Sequence, residues 1–230
     1  MPIRQFTIFI LLILISPRVS QAQDETAMQM MHSVQPSLVE IRVTATKTIS
    51  DDNGHAAVGT YQAQGWGIII DSHGLIVTNT HIIANAGQIL VALNDGTILE
   101  ASSVYSSDAD FSFLKINPPY PLQTITLADS EIAKIGTSII ALSTNSDNEQ
   151  HILGGEITNL IDGISSDKVE LFELNLNLNH GDSGGPLLDN QGHVLGLIMG
   201  KKLDQDNKSY AIASNKIQQE YLQYEQNNPT

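Results

Sequence analysis

The sequence predicts an all-β protein made of two small β-barrels, with a short helix at its end. Hydrophobic residues recur with a period of two in short runs rich in Val, Ile and Leu, separated by Gly, Asn and Asp, which is the pattern of half-buried strands. The stretch 117–130, with Pro118, Pro119 and Pro121, separates two similar halves and reads as the crossing between them. The residues with catalytic character fall on both sides of that crossing, so they assemble across a cleft. Such a cleft suits an extended peptide, which can pair its backbone with a strand edge on either side.

The first segment reads as a processing signal rather than as part of the fold. Met1 to Gln5 carries one cation, Arg4; Phe6 to Ile15 is an apolar run broken only by Thr7; and Ser20-Gln21-Ala22 offers small residues at the positions a signal peptidase inspects. Residues 1–22 are therefore expected to be a signal peptide cleaved after Ala22, which directs the chain to the bacterial periplasm or outside the cell. The run falls short of the roughly 20 residues needed to span a bilayer, so no membrane anchor is expected. The chain has no cysteine, so disulfides and a lipidated cysteine are both excluded and the core alone must hold the exported fold. The domain is expected over residues 23–225, with barrel one at about 34–117, barrel two at about 131–213 and a tail at 226–230.

The formal net charge is −14, and the signal removes cations but no acids. Phosphate binding needs clustered cations, so a nucleic-acid partner is not expected. The acidic surface reads as a solvated one kept apart by its own charge.

In chain order, Val39, Ile41, Val43 and Ala45 alternate with Glu40, Arg42 and Thr44, which makes a strand with one buried face. Ser72-His73-Gly74 and Asn94-Asp95-Gly96 each join two apolar runs as hairpin turns. Leu174, Leu176 and Leu178 alternate with Asn175, Asn177 and Asn179. Asp189-Asn190-Gln191-Gly192 then turns the chain from Leu187-Leu188 into Val194 to Ile198, and the segment between Leu178 and Leu187 falls in a loop between strands. Near the end, Ser214 is placed to cap a helix with Ile217, Tyr221 and Tyr224 at helical spacing.

That loop carries Gly181-Asp182-Ser183-Gly184-Gly185-Pro186, preceded in the chain by His81 and Asp110. A serine hydroxyl is a poor nucleophile at neutral pH, and acyl transfer needs an imidazole to take its proton and a carboxylate to orient that imidazole. The glycines allow a tight turn in which the N–H groups of Gly181 and Ser183 can converge on an oxyanion. Asp108 is a second candidate acid, but Asp110 directly precedes the strand beginning at Phe111 and so sits at its end, facing the cleft. Of the other histidines, His73, His151 and His193 lie at turns or strand edges, and His180 reads as a residue lining the cleft. Met28, Met30, Met31 and His32 are more economically explained as an apolar helix turn than as a soft-metal site. No metal or organic cofactor is expected.

Taken in order, Gln35-Pro36-Ser37-Leu38-Val39-Glu40-Ile41, Gly65-Trp66-Gly67-Ile68-Ile69-Ile70-Asp71, Gly74 to His81, Asp110 to Ile116, Leu127-Ala128-Asp129-Ser130, Lys134-Ile135-Gly136, the hexapeptide, and Tyr210 to Ser214 resemble a trypsin-like serine protease of the HtrA (Deg) type. The resemblance spans about residues 34–216. It implies the chymotrypsin/trypsin-like fold, two antiparallel six-stranded β-barrels, with His81 as general base, Asp110 as orienting acid and Ser183 as nucleophile. It implies polypeptide substrates, and it covers the protease domain only, with no PDZ domain following.

There are departures. Trp66 stands where the family tends to have a small residue, and Asp182 stands where the HtrA type more often has Asn, with no partner evident for its carboxylate. The primary specificity pocket is expected to involve Asn177, Leu178, Leu197 and Ile198, with Lys201 and Lys202 at its rim. Asn177 occupies the place of the carboxylate found in relatives that cleave after Lys or Arg, so a small or aliphatic preference is expected instead. The function expected is a secreted serine endopeptidase acting on peptides or misfolded proteins. The alternative is a catalytically latent protease fold kept as a binding or chaperone-like module.

Overall fold

The structure is a computed structural model that describes residues 29–30, 32–50, 56–144, 150–163, 168–201 and 208–229. The expected signal peptide, Met28, Met31 and Lys202 lie outside these residues, as do the side chains of His151, His180 and Lys201.

In the first half, β1 (Leu38–Ser50), β2 (Ala56–Asp71), β3 (Leu75–Asn79), β4 (Ala86–Ala92), β5 (Ile98–Glu100), β6 (Ser102–Ser106) and β7 (Phe111–Lys115) form one antiparallel sheet. Its strand order is β5-β4-β1-β2-β3-β7-β6. In the second half, β8 (Ser138–Thr144), β9 (Gln150–Asp162), β10 (Val169–Leu174), β11 (Pro186–Leu188), β12 (Val194–Lys201) and β13 (Ser209–Ala213) close into a barrel in the order β10-β13-β12-β11-β8-β9.

The expected six-stranded barrel is thus met directly in the second half and in modified form in the first. There the two edge strands, β5 and β6, are consecutive pieces of one segment separated by Ala101 alone. The first piece pairs with β4 and the second with β7, so the sheet returns on itself through the chain rather than through a hydrogen-bonded ladder. Closing so small a barrel demands a sharp bend somewhere. The chain bends at Ala101, whose N–H donates to the Ile89 carbonyl at 3.0 Å, and the expected sixth strand becomes two short ones.

The period-two reading of β1 holds, with Val39, Ile41, Val43 and Ala45 all buried and packed with Ile69, Ile76, Val91 and Leu114 as the core of the first half. A second core, including Ile139, Ile157, Phe172, Leu178, Leu187 and Ile198, fills the closed barrel. A third joins the halves: Ile68, Val77, Phe111 and Phe113 from one meet Leu188, Val194, Leu197 and Ile212 from the other. Trp66 packs against this third cluster, which is why a large side chain is accommodated between two glycines.

The crossing is pinned to both halves. Leu122 N–H donates to the Ser72 carbonyl at 2.9 Å, and Thr126 and Ala128 exchange backbone hydrogen bonds with Val194. Residues 29–30 and 32–34 are helical, with Met30 and Val34 packed beside Gly192 and His32 exposed.

The helix at the end spans Ser214–Asn227 and reaches into the expected tail. Ser214 does not cap it: Ala213 occupies the cap position, and the Ser214 hydroxyl donates to the Ala128 carbonyl at 2.6 Å. The reason is that β13 runs into the helix without a break, which leaves Ser214 buried against the crossing. Ile217 is fully buried in the third core. Tyr221 and Tyr224 pack on Phe113 of the first half, with ring centroids 6.1 and 5.8 Å away. Tyr105 stacks on the same ring at 5.2 Å and donates to Glu220 Oε2 at 2.7 Å. Burial and that carboxylate push the Tyr105 phenol up to about 12.

Candidate active site

His81 and Asp110, the expected base and acid, are brought together by the β3–β7 pairing. Asn79, the last residue of β3, is opposite Phe111, the first of β7, so the residues just beyond each strand end are neighbours. His81 lies within the 3₁₀ turn Thr80–Ile82 that follows β3. Asp110, just before β7, has φ = 63°, a left-handed conformation that Asp adopts more readily than most residues but still at a cost. From there its carboxylate meets His81 twice. Oδ2 is 2.7 Å from Nδ1, and Oδ1 accepts the His81 backbone N–H at 3.0 Å. Asp108 is exposed and makes no such contact, so the structure places the nearer-to-strand candidate against the imidazole.

Ser183 sits in the loop between β10 and β11, after a 3₁₀ turn spanning His180–Asp182. The carboxylate of Asp182 is fully buried and has found partners: it accepts the Ser143 hydroxyl at 2.8 Å and the Asn179 N–H at 2.6 Å, the latter closing a capping box with Asn179. The side chain that had no evident partner in the sequence therefore ties this loop to β8. Ser183 is anchored from the other half, because its carbonyl accepts the Trp66 N–H at 2.9 Å. Gly184 follows with φ = 82°, and a Cβ there would collide with the Trp66 carbonyl, so both the backbone angle and the close approach require glycine.

His81 and Ser183 line one cavity of about 330 Å³ together with Ala63, Gln64, Ile82, Met199 and Gly200. The Ser183 hydroxyl donates to the Met199 carbonyl at 3.1 Å. Three-ten winding turns each amide back toward the carbonyl three residues earlier, as Asp182 N–H does toward Asn179 at 3.1 Å.

The four residues expected to form the specificity pocket do not line this cavity. Leu178, Leu197 and Ile198 are buried in the second and third cores, and Asn177 is exposed. They face inward because their strands and the run before the loop keep the alternation that fills the barrel. The small or aliphatic preference read from them therefore has no support here. The residues that the sequence reading missed, Met199 and Gly200, lie where β12 shifts register between Ile198 and Gly200, with φ = 96° at the glycine. A glycine late in an apolar strand was the available signal, since it marks a bulge or a close backbone approach.

Comparison with known proteins decides the family. A model of the trypsin-like peptidase domain matches residues 65–197. The chain belongs to the trypsin-like peptidase family. The peptidase domain is 35% identical over 136 residues to the serine endoprotease DegS of Escherichia coli K12, covering 58% of this chain and 38% of that protein. It is 30% identical over 184 residues to the periplasmic pH-dependent serine endoprotease DegQ of the same organism, covering 73% and 40%. It thus spans about two fifths of the length of these relatives. A serine-to-alanine variant of the HtrA-type protease AlgW, solved with a decapeptide, shares its fold with a TM-score of 0.74 at 21% identity, over 88% of this chain and 67% of that one. Among the described residues of the peptidase domain, no helix is long and apolar enough to cross a membrane.

Proposed function

We propose that the protein is an exported serine endopeptidase that cleaves peptides or misfolded proteins through an acyl-enzyme, with Ser183 as nucleophile, His81 as base and Asp110 as orienting acid. The observation that carries this is the 2.7 Å contact between His81 Nδ1 and Asp110 Oδ2 on the wall of the cavity that also holds Ser183. Because Nδ1–H donates to the carboxylate, Nε2 keeps its lone pair and can take the Ser183 proton as Oγ attacks the peptide carbonyl. The imidazolium then returns that proton to the leaving amine, and water repeats the sequence in reverse to free the acid. The amides of Gly181 and Ser183 are proposed to hold the oxyanion. Export through a signal peptide at residues 1–22, and a periplasmic location, fit the name of the DegQ relative. Casein hydrolysis by the wild type and its absence in a folded Ser183→Ala protein test the proposal; equal turnover by the two would refute it.

A second reading has its own observation. The Ser183 hydroxyl is engaged by the Met199 carbonyl, which favours a resting site that is latent. A fluorophosphonate separates the two, since only an activated serine beside a formed oxyanion hole reacts readily.

A further inference from the structure

Asn79 is fully buried, and it stands at the position preceding the 3₁₀ turn that carries His81, where an asparagine ordinarily caps the turn with its own side chain. It makes no such cap bond. Its Nδ2 instead reaches across to donate to the Asp110 carbonyl at 3.1 Å, and its Oδ1 has no hydrogen-bond partner among the described residues. The opposite amide orientation would set Oδ1 against the Asp110 carbonyl oxygen, so the donor is fixed by its acceptor. A buried amide with one half unpaired costs stability, and an apolar residue of the same size would avoid that cost. The bond it does make is at the one place where the backbone needs support. Asp110 is held at φ = 63°, and its carbonyl collects a second donor, the Thr80 N–H, also at 3.1 Å.

We infer that Asn79 is a positioning residue: its side-chain amide clamps the Asp110 backbone in the left-handed conformation from which the carboxylate addresses both Nδ1 and the backbone N–H of His81. Asn79 touches no reacting atom and acts through Asp110. A conformation that is disfavoured intrinsically persists only where its surroundings over-determine it, and two donors on one carbonyl do this. With the Nδ2 donor removed, Asp110 relaxes toward the right-handed region, its carboxylate swings, and the imidazole loses its fixed tautomer and orientation.

The inference rests on the assignment of His81 and Asp110 as base and acid. Its test therefore includes a readout that does not depend on turnover. The full-length protein carrying Asn79→Leu, with Asn79→Ala as the second variant and Ser37→Ala as a control at a second side chain that is buried and unpartnered among the described residues, is compared with wild type. The measurements are kcat, KM, thermal midpoint, and the downfield proton resonance of His81 Nδ1–H that reports its bond to Asp110. Loss of positioning lowers kcat by up to about 100-fold with KM little changed. It also shifts or broadens the resonance, while the thermal midpoint of Asn79→Leu is held or raised. Ser37→Ala leaves kcat and the resonance as in wild type. A folded Asn79→Leu with wild-type kcat and resonance overturns the inference, as does a loss of kcat that leaves the resonance in place. If Asn79→Leu does not fold, Asn79→Ala is read by the same criteria. Absence of hydrolysis by the wild type counts against the peptidase reading instead, and the resonance still decides the role of Asn79.

Discussion

Replacing Asp110 by Asn tests the proposed triad at its most informative point, because the substitution keeps the shape of the side chain and changes its charge and what it can donate. In the structure Oδ1 is committed to the His81 backbone N–H at 3.0 Å and Oδ2 to Nδ1 at 2.7 Å. An asparagine keeps its oxygen on the backbone donor and presents its NH₂ to Nδ1. Nδ1 must then become the acceptor, and the imidazole proton moves to Nε2, the atom that has to accept from Ser183. The base is blocked by its tautomer, and the imidazolium formed later loses the adjacent negative charge. The expected loss in kcat is about 10⁴-fold, or about 5.4 kcal/mol of transition-state stabilisation. Asp108→Asn, at an exposed position without contact to the imidazole, is expected to change kcat by less than about twofold. Both proteins are assayed on one fluorogenic peptide at fixed pH, with circular dichroism to show that each is folded. A loss at Asp110 smaller than tenfold, or a larger loss at Asp108 than at Asp110, would refute the assignment.

Other consequences are as direct. The specificity constant should fall on the acid side as the imidazole protonates, while the protein stays folded; a maximum near pH 4 to 5 would contradict a histidine base and point to paired carboxylates. Ile217→Ala, which opens a cavity between the closing helix and the two halves, should destabilise by about 2–5 kcal/mol, read as a lower denaturation midpoint. The phenol of Tyr105 is raised to about 12 from 10.0, so the stability it contributes is complete below pH 10 and is lost as pH climbs toward 12. An alkaline melt series should show that slope in wild type, and it should be shallower in Tyr105→Phe. Gly184→Ala should abolish activity through the collision with the Trp66 carbonyl, and unchanged hydrolysis by that variant would mean the loop is free to move aside.

What the sequence disclosed and what it hid divide along physical lines. Alternation is a local signal, and it located β1, the hairpin turns with glycines at positive φ, and the burial of Leu174, Leu176 and Leu178. The order His81, Asp110, Ser183 and the hexapeptide were equally legible. The bend at Ala101 was not, because it answers to barrel closure, a property of the sheet as a whole. Ser214 was assigned as a cap on a local rule, and a long-range bond to Ala128 overrode it. Asn177 was placed by counting back from the nucleophile and Leu178, Leu197 and Ile198 by their apolar character, which does not reveal that these three pack into the cores. One partner of Asp182, Ser143, came from β8, about forty residues earlier in the chain, and the other, the Asn179 N–H, from the loop itself.

The helix that follows all the strands has a bearing on the order of events in folding. Its Glu220 bonds to Tyr105, a separation of 115 residues, and its tyrosines sit on Phe113 of the opposite half. Contacts of such span are reached late and slowly, because the loop they close must be ordered before they form. His81 and Asp110 belong to one half and Ser183 to the other, so a chain synthesised only as far as β13 joins the two through the third core and the crossing alone. The proposed site gains the added brace of the helix last.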